Sequence, residues 1–389
     1  MQKLFIKIYT KLGYILLVTL NYLFKIRIGE LESRKIGHFA APPYIYICEQ
    51  RQGIVNAGPR DYYFLNKTIS NSFLESNWRS YFNIKPRIIL EPIFHYAYYK
   101  KNLKVLTPYR SWRWHSEPHT WQAFDVNNAT KNMPTFLNFS DNAQISFNAL
   151  IENFKSDQSW NGELITFHIR SPFFQNPEAS QFELGLRDSS FADFQPAIES
   201  LLDQGYAVLR MGKGNLPFDQ IKHPRYIDLS RSPLRTDELD FFVLDRTSLH
   251  VCTSSGCDDT VAIQLKKKVV IINGTEWAYY MKLPYQLLAP KKFFCRNSQT
   301  YLSFKSLVEK GLDRASELDI FIKLNIEVVG LSKTEIQGCV MEAITLAKSG
   351  EPDYSYEDEF SVAAMEVYGI QNPVPLSKYF LACNPWFLQ

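Results

Sequence analysis

The stretch LITFHIRSPFF, residues 164–174, decides how this chain is read. Ile165, Phe167 and Ile169 alternate with Thr166, His168 and Arg170, the two-residue period of a β-strand. His168 and Arg170 then share one face at the end of an otherwise apolar strand. Two potential cations so placed either meet an anion or simply reach solvent.

The residues after 160 keep a clean rhythm. A helix is expected near 191–203, with Phe191, Phe194, Ile198 and Leu201 on one face and Gly205 as its stop. YAVLRMG and RYIDLS read as the next strands, followed by a helix around 237–246 and the strand SLHVCTSSG. A short helix, DDTVAIQLKK, precedes the fully apolar strand VVIING. Strands alternating with helices imply a parallel sheet covered on both faces, so the second half reads as a Rossmann-like α/β domain. The first half reads as another, with YIYIC (44–48) and PRIIL (86–90) as strands. Between them, NKTISNSFLESNWRSYF reads as an amphipathic helix through Ile69, Phe73 and Trp78. Residues 107–142, including Trp112 and Trp114, read as loop; the two rings either stack on a sugar or anchor the loop itself.

A chain of 389 residues suggests two domains, on a prior of about 100–200 residues each. Apolar content of 46% and charged content of 21% are those of an ordinary globular protein. A formal charge of only +3 argues against a nucleic acid as main partner. Six cysteines form no C-x-x-C and no compact framework, which points to free thiols in a reducing, cytoplasmic compartment. None of the seven histidines stands at ligand spacing from a cysteine pair, so no metal is expected.

The basic, apolar N-terminus stands apart. Lys3, Lys7 and Lys11 recur every four residues beside Leu4, Ile8 and Leu12, one stripe of a helix. The run Leu12–Phe24 is short of the roughly 20 residues of a membrane span, and no small-residue cleavage site follows it. Two readings stand: a helix lying on an anionic inner membrane face, or an ordinary packing helix. At the other end, EPDYSYEDEF is an acidic connector, and YFLACNPWFLQ is apolar enough to pack back on the body.

In open parallel sheets, ligands collect beyond the carboxyl ends of the strands. Four such ends here carry polar or small residues: His168 and Arg170; Arg210 to Gly212; Ser254, Ser255 and Gly256; and Asn273. Two guanidiniums, a histidine and a small-residue turn opening a helix would suit a diphosphate without a metal ion. Each has a plainer reading: arginines paired with Asp188 or Asp240, a core histidine, an N-cap. RMGKG lacks the third glycine of a dinucleotide fingerprint, and no Asp-x-Asp occurs anywhere in the chain.

The run from HIR through LRDSSFADFQPAIESLLDQGYAVLRMGKG and VCTSSGCDDTVA to VVIIN resembles a family of bacterial glycosyltransferases from surface-polysaccharide gene clusters. KIGHFA near the start and NPWF at the end resemble it too, so the likeness covers most of the chain from residue 36. It implies a GT-B-like architecture: two Rossmann-like domains facing a cleft, the second holding a nucleotide-sugar donor and the first a glycan or lipid-linked acceptor. The His-x-Arg of residues 168–170 is similar to the donor-phosphate motif of fucosyltransferase-type enzymes, which implies that Arg170 contacts the diphosphate. Ser171 and Pro172 depart from that motif.

The expected organisation is therefore an amphipathic helix (1–35), an acceptor domain (36–155), a nucleotide-sugar domain (156–345) and a returning C-terminal segment (346–389). Transfer with inversion needs a base, for which His38 in the KIGHFA turn is the first candidate, ahead of Asp61 and Glu49. Arg187 and Asp188 are expected to touch the donor or to position Arg170. The rival reading is a catalytically silent nucleotide- or glycan-binding component of a polysaccharide assembly complex.

Overall fold

The computed structural model describes residues 2–56, 58, 60–109, 125, 127–170, 185–212, 221–253, 255–275, 287–315, 317–349, 359–369 and 373–389. Its contacts divide it into two units, Met1–Asn138 and Phe139–Gln389.

The first unit is built on a parallel pair, β1 (Arg27–Leu31) and β2 (Asp61–Leu65). Single parallel bridges, Leu106 to Ile28 and Ile84 to Tyr63, extend it. Gly29 permits a close crossing, because a Cβ there would stand 2.1 Å from Thr107 Oγ1. Helices α1 (Gln2–Phe24), α2 (Ile36–Arg51), α3 (Ser72–Trp78) and α4 (Arg87–Tyr99) accompany the strands. Leu17, Ile28, Phe64, Ile93, Phe94 and Leu106 share one apolar cluster.

Two stretches expected as strands are helical. Residues 44–48 lie inside α2, where every residue from Phe39 to Glu49 is buried. A helix buried all round has no polar face to betray its period, and a short apolar run cannot distinguish it from a buried strand. Residues 87–90 begin α4, with Pro86 at its N-cap, where a missing N–H costs nothing. KIGHFA is likewise not a turn, since Ile36 opens α2 and His38 sits in its first turn. The described sheet of this unit is smaller than the Rossmann-like domain expected there. The helix expected around residue 73 is shorter than its pattern; Asn71 caps α3 by accepting from the Leu74 N–H.

The second unit holds six parallel strands: β3 (Leu164–His168), β4 (Ala207–Arg210), β5 (Tyr226–Asp228), β6 (Leu249–Cys252), β7 (Lys268–Gly274) and β8 (Leu287–Pro290). Their order is β5-β4-β3-β6-β7-β8, every neighbouring pair parallel. This is the doubly wound order of Rossmann domains. Helices α5 (Asp141–Lys155), α6 (Phe191–Asp203), α7 (Asp237–Arg246) and α8 (Asp258–Ile263) belong to the same unit. Phe191, Phe194, Ile198 and Leu201 of α6 are buried, the face their spacing predicts. Gly205 turns the chain from α6 into β4 at φ +87°, where a Cβ would stand 2.6 Å from the Ser159 carbonyl oxygen.

The unit begins before the expected boundary at 155. Phe139 and Phe147 pack edge-on against Phe242 of α7, so α5 joins the sheet domain rather than the first unit. A smaller antiparallel sheet, β9 (Lys292–Cys295), β10 (Thr300–Tyr301) and β11 (Ile326–Val329), follows β8. Then come α9 (Phe304–Glu309), α10 (Leu318–Lys323), α11 (Lys333–Lys348), α12 (Glu359–Tyr368) and α13 (Lys378–Cys383). The C-terminal segment packs back: Leu376 bridges to Leu288 of β8, and Trp386 stacks on Tyr301 at 4.9 Å.

Candidate active site at the carboxyl ends of the sheet

The strand order reverses between β3 and β6, and such a switch point leaves a crevice beyond the carboxyl ends. Register sets His168, the last residue of β3, opposite Cys252, the last of β6. Past the ladder the two chains stay tied. The Thr253 N–H donates to the His168 carbonyl (3.2 Å), and the Arg170 N–H donates to Thr253 Oγ1 (2.8 Å).

His168 is held by a buried carboxylate from the first residue of α8. Its Nδ1 lies 3.3 Å from Asp258 Oδ1 and 3.0 Å from Cys257 Sγ. Asp258 also receives His250 Nε2 at 3.1 Å and the backbone N–H of Ser255. Burial would push the Asp258 carboxyl up, but hydrogen bonds from both imidazoles hold it well below the usual carboxylate range. Burial would likewise lower His168; the adjoining Cys257 sulfur and the Asp258 carboxylate reverse this and hold it well above the ordinary histidine value. Burial keeps His250 low despite Asp258. An ionised Asp258 only accepts, so Nε2 of neutral His250 carries its proton, and its Nδ1 lies 2.9 Å from the Thr166 hydroxyl. The outcome is one imidazolium, His168, fixed at Nδ1 with a side chain 17% exposed. Its other edge faces Gly212 (φ +116°), where a Cβ would stand 3.3 Å from Cδ2 and 3.5 Å from Nε2. Any larger residue would press on the ring.

Arg170 Nε lies 3.4 Å from Asp188 Oδ1, with both side chains about nine-tenths buried. Burial pushes the Asp188 carboxyl up, against the pull of Arg170, Lys291 and Arg187, and neither of its oxygens makes a hydrogen bond. Lys291, just past β8, clamps this segment by donating to the carbonyls of Leu186 (2.8 Å) and Asp188 (2.7 Å). Burial lowers its ammonium to about 8, with Asp188 opposing. Arg187 is half-buried beside them.

Other expected ligand residues are committed to the fold. Arg210 donates to Asp228 (2.6 Å) and Ser230 (3.0 Å), so its partner is Asp228 and neither Asp188 nor Asp240. Asp240 pairs with Arg235. Asn273, at φ +59°, clamps two loops, donating to Ser189 Oγ (3.2 Å) and accepting from the Leu331 N–H (2.8 Å). The Ser255 N–H, expected to face an anion, is taken by Asp258; Gly256 is half-buried next to it. Helix α8, at six residues, is also short for a dipole site. Ser254, Ser171, Pro172, Trp112 and Trp114 lie outside the described residues. His38 belongs to the first unit, near Glu32, whose carboxyl burial would raise but Arg34 holds down, His38 adding the smallest share. The weaker base candidates there are engaged too: Asp61 with Arg27 and Glu49 with Asn127.

Sequence reasoning missed Cys257, Asp258 and His250. Their place 80 to 90 residues from His168 hides the cluster from any spacing rule. The donor atoms of His168, Cys257 and Asp258 lie within 4.8 Å of one another, as do those of His250, Cys252 and Asp258, close enough to share a metal ion. Protons satisfy the same contacts.

No known protein family matches the sequence, and no curated protein matches it. Among solved structures, the chain is similar to ADP-heptose LPS heptosyltransferase II of E. coli, at 12% identity and a TM-score of 0.34. The match covers 63% of this chain and 84% of that one. A likeness this distant supports no argument about activity.

Proposed function

We propose that the chain is a metal-independent, inverting glycosyltransferase. It moves a sugar from a nucleotide-sugar donor to a glycan or lipid-linked acceptor in bacterial surface-polysaccharide synthesis. One observation supports this above the rest: at the switch point of a doubly wound sheet, an imidazolium and a guanidinium stand two residues apart, His168 fixed by buried Asp258 and Arg170 beside Asp188. As the bond from sugar to diphosphate breaks, negative charge gathers on the leaving group. Preorganised cations in a water-poor crevice stabilise that charge without reorganising. His168 donates from Nε2 and Arg170 from its guanidinium. Arg210 lies outside this contact set because it hydrogen-bonds both Asp228 and Ser230. In this reading His38 takes the proton of the acceptor hydroxyl.

The experiment is turnover of a nucleotide-sugar panel by wild type and Arg170→Ala. Losing a cation that acts on the departing charge lowers kcat by about 100-fold or more, with a smaller change in KM. Unchanged turnover in Arg170→Ala removes the phosphate role of that residue. The commitment of Arg210, Asp240 and Asn273 to structural bonds favours the rival reading, a silent binding component. That reading takes over if nucleotides raise the melting temperature while no donor is consumed.

A further inference from the structure

We infer that α1 and the helix it rests on form a docking surface for an anionic lipid bilayer. This goes beyond the proposed reaction and does not depend on it. The inner face of α1 is firmly packed. Leu17 is buried in the first unit's core, and a Cβ on Gly13 would stand 2.6 Å from Ile93 Cδ1 of α4. Tyr9 donates to the Ile89 carbonyl (2.9 Å), Asn102 to the Tyr14 hydroxyl (3.0 Å) and Asn21 to the Lys104 carbonyl (3.2 Å). The helix is pinned along its length, with its outer face turned to solvent.

That outer face is apolar. Phe5 (73%), Ile8 (51%), Leu12 (62%), Ile15 (60%), Leu16 (58%) and Leu23 (59%) are each more than half exposed, and steps of three, four and seven, with Ile15 and Leu16 adjacent, put them on one side. Ile89 and Leu103, next to the points where α1 is tied, are exposed as well. A contiguous apolar face of this size is unusual on a protein that meets only water.

Charge identifies the occupant. The first 29 residues contain no Asp or Glu. Lys7 and Lys11 are exposed one turn apart, and Lys11 sits three residues after Ile8 and four before Ile15, at the border of the apolar stripe. Exposed Lys100, Lys101 and Lys104 add cations beside the Asn21 tie. An apolar stripe bordered by lysines fits acyl chains below and anionic headgroups alongside. No helix among the described residues is long and apolar enough to cross a membrane, so the contact is a resting one, in the plane of the interface.

Flotation of the full chain with vesicles tests this. Wild type is expected to float with phosphatidylethanolamine–phosphatidylglycerol vesicles and about tenfold less with phosphatidylcholine or in high salt. Lys7→Gln and Lys11→Gln weaken binding to the anionic vesicles by about fivefold each. The pair Leu12→Glu and Leu16→Glu abolishes flotation with an unchanged circular-dichroism melt, since both side chains are exposed. Absence of wild-type flotation, or flotation indifferent to the glutamates, overturns the inference. So does a concentration-dependent dimer, seen by sedimentation, that the glutamates dissolve without any vesicle binding; the face then belongs to a second copy.

Discussion

At the scale of single residues, the molecule turns on which of its buried groups keep a charge. His168 and His250 share one carboxylate, yet they are driven in opposite directions. His250 sits wholly inside the sheet and stays neutral; His168 reaches the crevice and takes the proton. A histidine whose folded value is raised contributes stability that is whole below its unfolded value, about pH 6.5, and fades as pH climbs through the folded value above it. Wild type should therefore exceed His168→Gln in stability at pH 6, with the margin narrowing toward pH 9 in thermal melts. A margin that stays level or widens over that range would rule out the protonated state. The sequence made His168 and Arg170 legible through the period of their strand. It could not make Asp258 legible, because a carboxylate after a small-residue turn has the same local signature whether it caps a helix or fixes a histidine from another strand.

At the scale of elements, legibility followed the sheet. The strands β3, β4, β6 and β7 are short and mostly buried, and α6 shows its buried stripe at the spacing the sequence carries. The first half hid its elements because α2 buries eleven residues in a row, so the polar positions that reveal a helical period are missing. Pro42 and Pro43 inside α2 give a further false signal, reading as a break where tertiary burial keeps the helix continuous. Gly205 is the opposite case, a punctuation mark with one physical meaning. Replacing it with alanine forces a Cβ into φ +87° and against the Ser159 carbonyl, so Gly205→Ala should lose about 1–3 kcal/mol in chemical denaturation. A substitution without effect would mean that the turn between α6 and β4 relaxes freely.

At the scale of the whole molecule, the second unit is completed by its own last residues rather than ending with its last sheet helix. Glu342 of α11 accepts the Ser377 hydroxyl and the backbone N–H groups of Lys378 (2.9 Å) and Tyr379 (3.0 Å), fixing the start of α13. Asn384 donates to Glu335 (2.9 Å), whose carboxyl is drawn down to about 2; burial opposes this, and hydrogen bonds from Asn384, Ser332 and Lys292 outweigh it. Phe387 is fully buried, packed on Phe380 at 5.2 Å. These bonds reach β8 through the bridge from Leu376 to Leu288, one strand away from β7 and its clamp Asn273. A Phe387→Ala change should therefore cost about 3–5 kcal/mol, as a truncated core aromatic does. Removing residues 373–389 should cost more, exposing the edge of β8, taking Asn384 from Glu335 and taking the Ser377, Lys378 and Tyr379 donors from Glu342. The check is a pair of thermal melts on the full-length chain and the truncation. If the tail were only an attached strap, both would melt alike; if it closes the sheet domain, the truncated protein loses its cooperative transition.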